Sequence, residues 1–153
     1  MKTLIKTLAI LGVVALAGCS LFRPSPLADT QPGDWITYRT GADARISVRS
    51  YGDGPCRLLL LGGVHGDESE TTRVVRLLAR RLPEEQELLR RITFFVVEET
   101  NPDALAARTR VNARKVDINR NFPTESWSAT AARSRYSPGR RPASEIETRA
   151  IMH

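Results

Sequence analysis

His65 and Glu68 stand three residues apart in the stretch GGVHGDESE, residues 62–70. Their side chains offer nitrogen and oxygen donors of the kind that hold zinc at about 2.0–2.3 Å. Residues three apart at a strand end and helix start can aim side chains at one point, and the two preceding glycines let the backbone turn tightly. The same pair also reads as a surface histidine beside an acidic residue in a helix's first turn, where negative charge suits the dipole. A second group lies in VDINRNFP, residues 116–123, which sets Asp117, Asn119, Arg120 and Asn121 in one run. An arginine fork beside an amide suits bidentate binding of a carboxylate. Asp117 has the chemistry to orient a metal-bound imidazole. The plainer alternative is a surface turn with Asn and Pro as breakers.

These residues need elements to position them. Residues 46–50 are predicted as a strand and YGDGP, residues 51–55, as a turn. RLLLLGGV, residues 57–64, is a continuous apolar run and reads as a strand buried on both faces. Residues 68–82 carry a helical apolar face at Val74, Val75, Leu78 and Leu82. PEEQE opens a further short helix through about Arg90, and ITFFVV, residues 92–97, is a second buried strand. Strand, helix, strand in that order implies an α/β sandwich. Residues 99–123 are polar with Asn-Pro as a turn, a long irregular segment of the kind that carries function. Residues 126–142 continue irregular and basic. Residues 143–153 begin a helix, with Ser144 and Glu147 spaced as a capping box.

The 153 residues make one domain at most. The N-terminus is expected to stand apart from it. MKTLIK is positive, TLAILGVVALA is apolar and LAGC ends at Cys19, the layout of a secretory signal. The apolar run falls short of the ~20 residues that a membrane span needs. LAGC resembles a lipobox, which implies residues 1–18 as a lipoprotein signal peptide and Cys19 as the acylated residue. Residues 19–34, rich in Pro and Ser, then form a tether, and residues 35–153 the domain. Ser20 after the cysteine favours the outer membrane, facing the periplasm. Without Lys2 and Lys6 the formal charge falls from +6 to +4. That charge is scattered arginine interleaved with glutamate and without aromatic platforms, so no nucleic-acid partner is expected. With Cys19 acylated, Cys56 has no intramolecular partner, which excludes a disulfide framework, and two cysteines exclude a four-thiolate metal site.

GGVHGDE, NPD, RVNARKVDINRNFP and PASEIET, in that order, resemble the zinc carboxypeptidase family of metallopeptidases. Within it they are most similar to the amidases of murein peptides. The resemblance spans residues 58–152. It implies a three-layer α/β sandwich with a mixed sheet and Zn2+ as cofactor. It also implies His65 and Glu68 as metal ligands, with Asp117 holding the second ring nitrogen of His65. Asn119 and Arg120 would grip a substrate carboxylate, and catalytic Arg110 would polarise the scissile carbonyl. The substrate would be a peptide or murein peptide, cut at the γ-D-glutamyl–diaminopimelate amide. Glu145 and Glu147 read as structural. Glycine is usual in the family where Ala104 and Lys115 stand here. The family's third ligand, general-base glutamate and substrate-binding tyrosine lie beyond its counterpart of residue 153. His153 lies on the helix before that strand and is set aside as a third ligand. The expectation is therefore a C-terminally truncated domain, inactive if those groups are missing. A deacylase of the succinylglutamate desuccinylase or aspartoacylase type shares the H-G-x-E and D-x-N-R elements. PASEIET and R-x-N-A favour the peptidase branch over it. An inactive, peptide-binding envelope lipoprotein is the other alternative.

Overall fold

The structure is a computed structural model that describes residues 35–129 and 135–153. The expected signal peptide, the tether and Cys19 lie outside the described residues. No described helix is long and apolar enough to cross a membrane.

Four strands form one mixed sheet: β1 (Trp35–Arg39), β2 (Arg45–Tyr51), β3 (Cys56–Leu61) and β4 (Ile92–Val97), in the order β1-β2-β4-β3. β1 and β2 pair antiparallel, as do β2 and β4, while β3 runs parallel to β4. Because side chains alternate along a strand, β4 feeds two cores. Phe94 and Val96 meet Tyr51, Leu60, Val75, Ala79 and Leu82 on one face. Phe95 and Val97 meet Ile46, Val48 and Ala150 on the other. Helix α1 (Glu70–Arg81) covers the first face and α4 (Ile146–Met152) the second. The three-layer sandwich with a mixed sheet is therefore what the chain builds.

Several local expectations change. β3 is not buried on both faces. It pairs only with β4 among the described residues, and of its leucines only Leu60 is buried. An apolar run reports side-chain character, whereas burial follows from position in the sheet. In α1 the buried positions are Thr72, Val75 and Ala79, followed by Leu82; Val74 and Leu78 are exposed. Asn101-Pro102 starts helix α3 (Pro102–Ala107) rather than a loop. The Asn101 side chain caps the Ala104 N–H, and Pro102 occupies the first turn, where its missing N–H costs nothing. The short helix after Pro83 is a 3-10 turn (Leu82–Glu84) followed by α2 (Gln86–Leu89). The capping box at Ser144 does not form. Glu145 is the N-cap of α4, the Ser144 hydroxyl donates to the Glu145 carboxylate at 2.6 Å, and Glu147 turns inward to Asn112.

Candidate metal centre and substrate pocket

The site forms where the parallel pair β3 and β4 ends. Past Leu61 the chain is held to the neighbouring strand end. Gly62 N–H donates to Val97 O at 2.8 Å, Thr100 N–H to Gly62 O at 2.8 Å and Asn101 N–H to Gly63 O at 3.0 Å. Gly63 has φ +63°, a conformation that side chains disfavour. Gly66 passes so close to α3 that a Cβ there would stand 1.8 Å from the Ala104 carbonyl oxygen. These constraints deliver His65 and Glu68 at the strand end.

His65 is 5% exposed and Asp117 is fully buried. Nε2 of His65 lies 3.0 Å from Asp117 Oδ1. An ionised carboxylate only accepts, so the proton belongs on Nε2 and Nδ1 presents a lone pair. Nδ1 lies 3.4 Å from Glu68 Oε1. Two acceptors held face to face suit a cation between them. For zinc bonds of about 2.0–2.1 Å at a tetrahedral angle, two ligand atoms stand about 3.3–3.4 Å apart. The donor chemistry and spacing of this pair therefore fit zinc. Among the described residues no cluster of three or more His, Cys, Asp or Glu side chains converges on one point to hold a metal. His153 packs edge-on against Tyr38 of β1, at the opposite edge of the sheet from β3.

Arg110 completes the cluster. Its Nε donates to Asp117 Oδ2 at 2.8 Å, and its Nη1 lies 3.4 Å from Glu68 Oε1. Burial pushes the Asp117 carboxyl up, but hydrogen bonds from His65 and Arg110 and the guanidinium charge outweigh it, so the group sits below its ordinary value. Asp117 also accepts the Asn119 N–H at 3.0 Å, which caps the 3-10 turn Ile118–Arg120. That turn carries Asn119 and Arg120 out to an exposed position on a cavity of about 440 Å³, lined also by His65, Glu68, Phe122 and Trp127. The structure thus brings His65, Glu68, Asp117 and Arg110 into contact and sets Asn119 and Arg120 on the adjoining cavity.

Two residues outside the expected set hold this arrangement. Asn112 lies in the R-x-N-A segment. Its side-chain oxygen accepts the Arg114 and Val116 N–H groups, each at 3.0 Å. This closes the loop that brings Arg110 back to Asp117. Its amide nitrogen donates to Glu145 at 3.0 Å and to Glu147 at 3.3 Å. Asn121 ties the same segment to the start of α4 through Ser144 Oγ and the Glu145 N–H, both at 3.0 Å. Asparagine is common in polar loops, so neither role has a sequence signal of its own.

Solved structures place this architecture. Carboxypeptidase A from Helicoverpa armigera superposes with a TM-score of 0.67 at 20% identity, over 79% of this chain and 37% of that one. The fold is carboxypeptidase-like α/β. The murein-tripeptide amidase of Escherichia coli O157 superposes with a TM-score of 0.52 at 30% identity, over 85% of this chain and 58% of that one. In sequence the chain is 40% identical to murein peptide amidase A of Vibrio campbellii over 72 residues, 47% of this chain. It spans 27% of that relative's length. The family described as Succinylglutamate desuccinylase/Aspartoacylase catalytic domain matches residues 55–153, and the chain belongs to it. The family model thus carries a desuccinylase/aspartoacylase description, while these named relatives are murein peptide amidases.

Proposed function

We propose that the chain carries the N-terminal part of a zinc-dependent amide hydrolase acting on murein peptides at the γ-D-glutamyl–diaminopimelate bond. The observation that carries this reading is the His65 Nδ1–Glu68 Oε1 pair, two facing acceptors 3.4 Å apart. The amidase relatives supply the substrate class. His65 and Glu68 would hold zinc, which supplies Lewis-acid activation of a water and of the scissile carbonyl. Asp117 keeps the proton on Nε2 of His65 and so keeps Nδ1 free as a ligand. Arg110 donates to the oxygen that gains charge as the amide carbon becomes tetrahedral. Arg120 and Asn119 grip a substrate carboxylate on the cavity wall. Arg120 has no ion pair of its own among the described residues, and its cation is open to a bidentate partner. A wall substrate agrees with an envelope location, with Cys19 as a lipid anchor in the outer membrane facing the periplasm.

The family match supports a second reading, an N-acyl amino acid deacylase. The full chain with zinc is offered murein tripeptide and, separately, N-succinylglutamate, each with and without a chelator. Zinc-dependent release of diaminopimelate supports the amidase reading. Release of succinate instead favours the deacylase. Arg120-dependent binding of tripeptide without hydrolysis marks an inactive peptide-binding lipoprotein. Neither binding nor hydrolysis overturns all three.

A further inference from the structure

Four consecutive residues each grip a different piece of the site. The Arg135 guanidinium donates to Asp67 Oδ2, in the metal loop, at 2.7 Å. The Tyr136 ring lies against Arg110, with Cζ 5.1 Å from the ring centroid. Ser137 O accepts the Asp117 N–H at 2.9 Å. Pro138 O accepts from the buried Asn121 amide at 2.7 Å and from the Trp127 indole at 3.3 Å. Ser137 and Pro138 anchor the strap through backbone carbonyls, which fixes where Arg135 and Tyr136 emerge.

The contact with Arg110 has a chemical consequence. The guanidinium has three nitrogens. Nε is committed to Asp117 and Nη1 leans on Glu68, so Nη2 is its open donor among the described residues. With Nη1 held only by a long 3.4 Å contact to Glu68, the plane can still tilt about the Nε–Asp117 bond. An aromatic face against a guanidinium prefers parallel stacking and resists that tilt. We propose that Tyr136, held by the strap Arg135–Pro138, is a positioning residue that fixes the plane of Arg110. It thereby keeps Nη2 available to the developing oxyanion. The role in catalysis rests on the hydrolase reading above; the orienting contact does not.

The test compares the full chain with Tyr136→Ala and Tyr136→Phe. Tyr136 is 43% exposed, so the alanine variant should keep the wild-type urea midpoint. The first readout needs no turnover. The Arg110 side-chain protons should show an upfield ring-current shift in the wild type and in Tyr136→Phe, and lose it in Tyr136→Ala. The second readout is kinetic. Tyr136→Ala should lower kcat about 5-fold with KM within about 2-fold, and Tyr136→Phe should restore it, because stacking needs the ring and not the hydroxyl. An unmoved Arg110 shift in Tyr136→Ala overturns the proposal, as does a change confined to KM or a failure of phenylalanine to restore. A wild-type chain without turnover counts against the hydrolase reading, while the ring-current shift still decides whether Tyr136 orients Arg110.

Discussion

Two buried acidic clusters flank the loop from Arg110 to Asp117, and they are built on opposite plans. Around Asn112, the carboxylates of Glu145 and Glu147 are 1% and 2% exposed, and the Asn112 amide hydrogens point at both. The Ser144 hydroxyl donates to Glu145, and the Arg114 guanidinium pairs with it at 3.3 Å. Each oxygen of these two carboxylates meets a donor, which is how a buried polar network rigidifies a fold. Around His65, Nδ1 and Glu68 Oε1 instead face each other as acceptors, and Glu68 is half exposed at a cavity. The first cluster is closed and serves the scaffold. The second is open on one side and suits a ligand. Satisfied donors against facing acceptors separates the two more sharply than residue type, since both use an acid pair with nitrogen-bearing side chains.

The largest effect is expected in the closed cluster. Asn112→Leu removes the N–H groups between two buried carboxylates and should cost about 3 kcal/mol in urea unfolding. Adding Glu147→Gln supplies an amide and removes one charge, so it should recover part of that loss. Equal losses in the single and double variants would show that the amide's contact with Glu147 is not what stabilises the loop. Next comes the open cluster. Asp117→Asn can donate to Nε2 of His65, which moves the ring proton to Nδ1 and removes the lone pair. Zinc affinity, measured against a chromophoric chelator, should fall about 10- to 100-fold. An unchanged affinity would remove Nδ1 from the ligand set.

A third prediction separates the clusters by pH. Burial pushes the Glu147 carboxyl above its ordinary value of 4.5, and nearby Glu145 and Asp103 add to the rise against the bond from Asn112. The folded state therefore binds this proton more tightly than the unfolded chain. The stability that this contributes is present at low pH and is lost as pH climbs from about 4.5 toward the raised folded value. Glu147→Gln should flatten that part of the curve. Urea midpoints at pH 4.5 and pH 7 check it: the wild type should lose more than the variant between the two. A parallel fall in both would place the pH sensitivity elsewhere.

The contrast between clusters explains what was legible in the sequence. β2, β4 and α1 are legible as elements from their apolar patterning, but which residues of α1 are buried is not: Val74 and Leu78 are exposed while Thr72 and Ala79 are buried. β3 was recognisable as a strand, but its edge position depends on which strands pair. α3 has only six residues and no apolar period, and Asn101-Pro102, which reads as a turn in the sequence, is its cap and first turn in the structure. His65, Glu68, Asp117 and Arg110 stand out as residue types at motif spacing, and the structure brings them together. Asn112 bonds residues 33 and 35 positions away. Such a partner is fixed by the sheet and α4 together, so no local pattern announces it. The same holds for Tyr136 over Arg110.

The smallest effect tests two positions where the family resemblance leads one to expect glycine. Lys115 has φ +63°, in the left-handed region, and closes the Asn112 loop by donating its N–H to Asn112 O at 2.9 Å. Ala104 is fully buried inside α3 and is not among the residues with positive φ. Lysine at a left-handed position carries backbone strain, which glycine relieves at some cost in unfolded-state entropy. Lys115→Gly should therefore stabilise the chain by up to about 1 kcal/mol. Ala104→Gly should destabilise it by about 1 kcal/mol, because glycine is a poor helix former and the Ala104 methyl is buried. The two substitutions are chemically alike, so opposite signs in thermal unfolding isolate backbone conformation as the cause. Equal signs would mean that the loop around Lys115 relaxes its φ at little cost, and Asn112 would then hold the loop through its side chain alone.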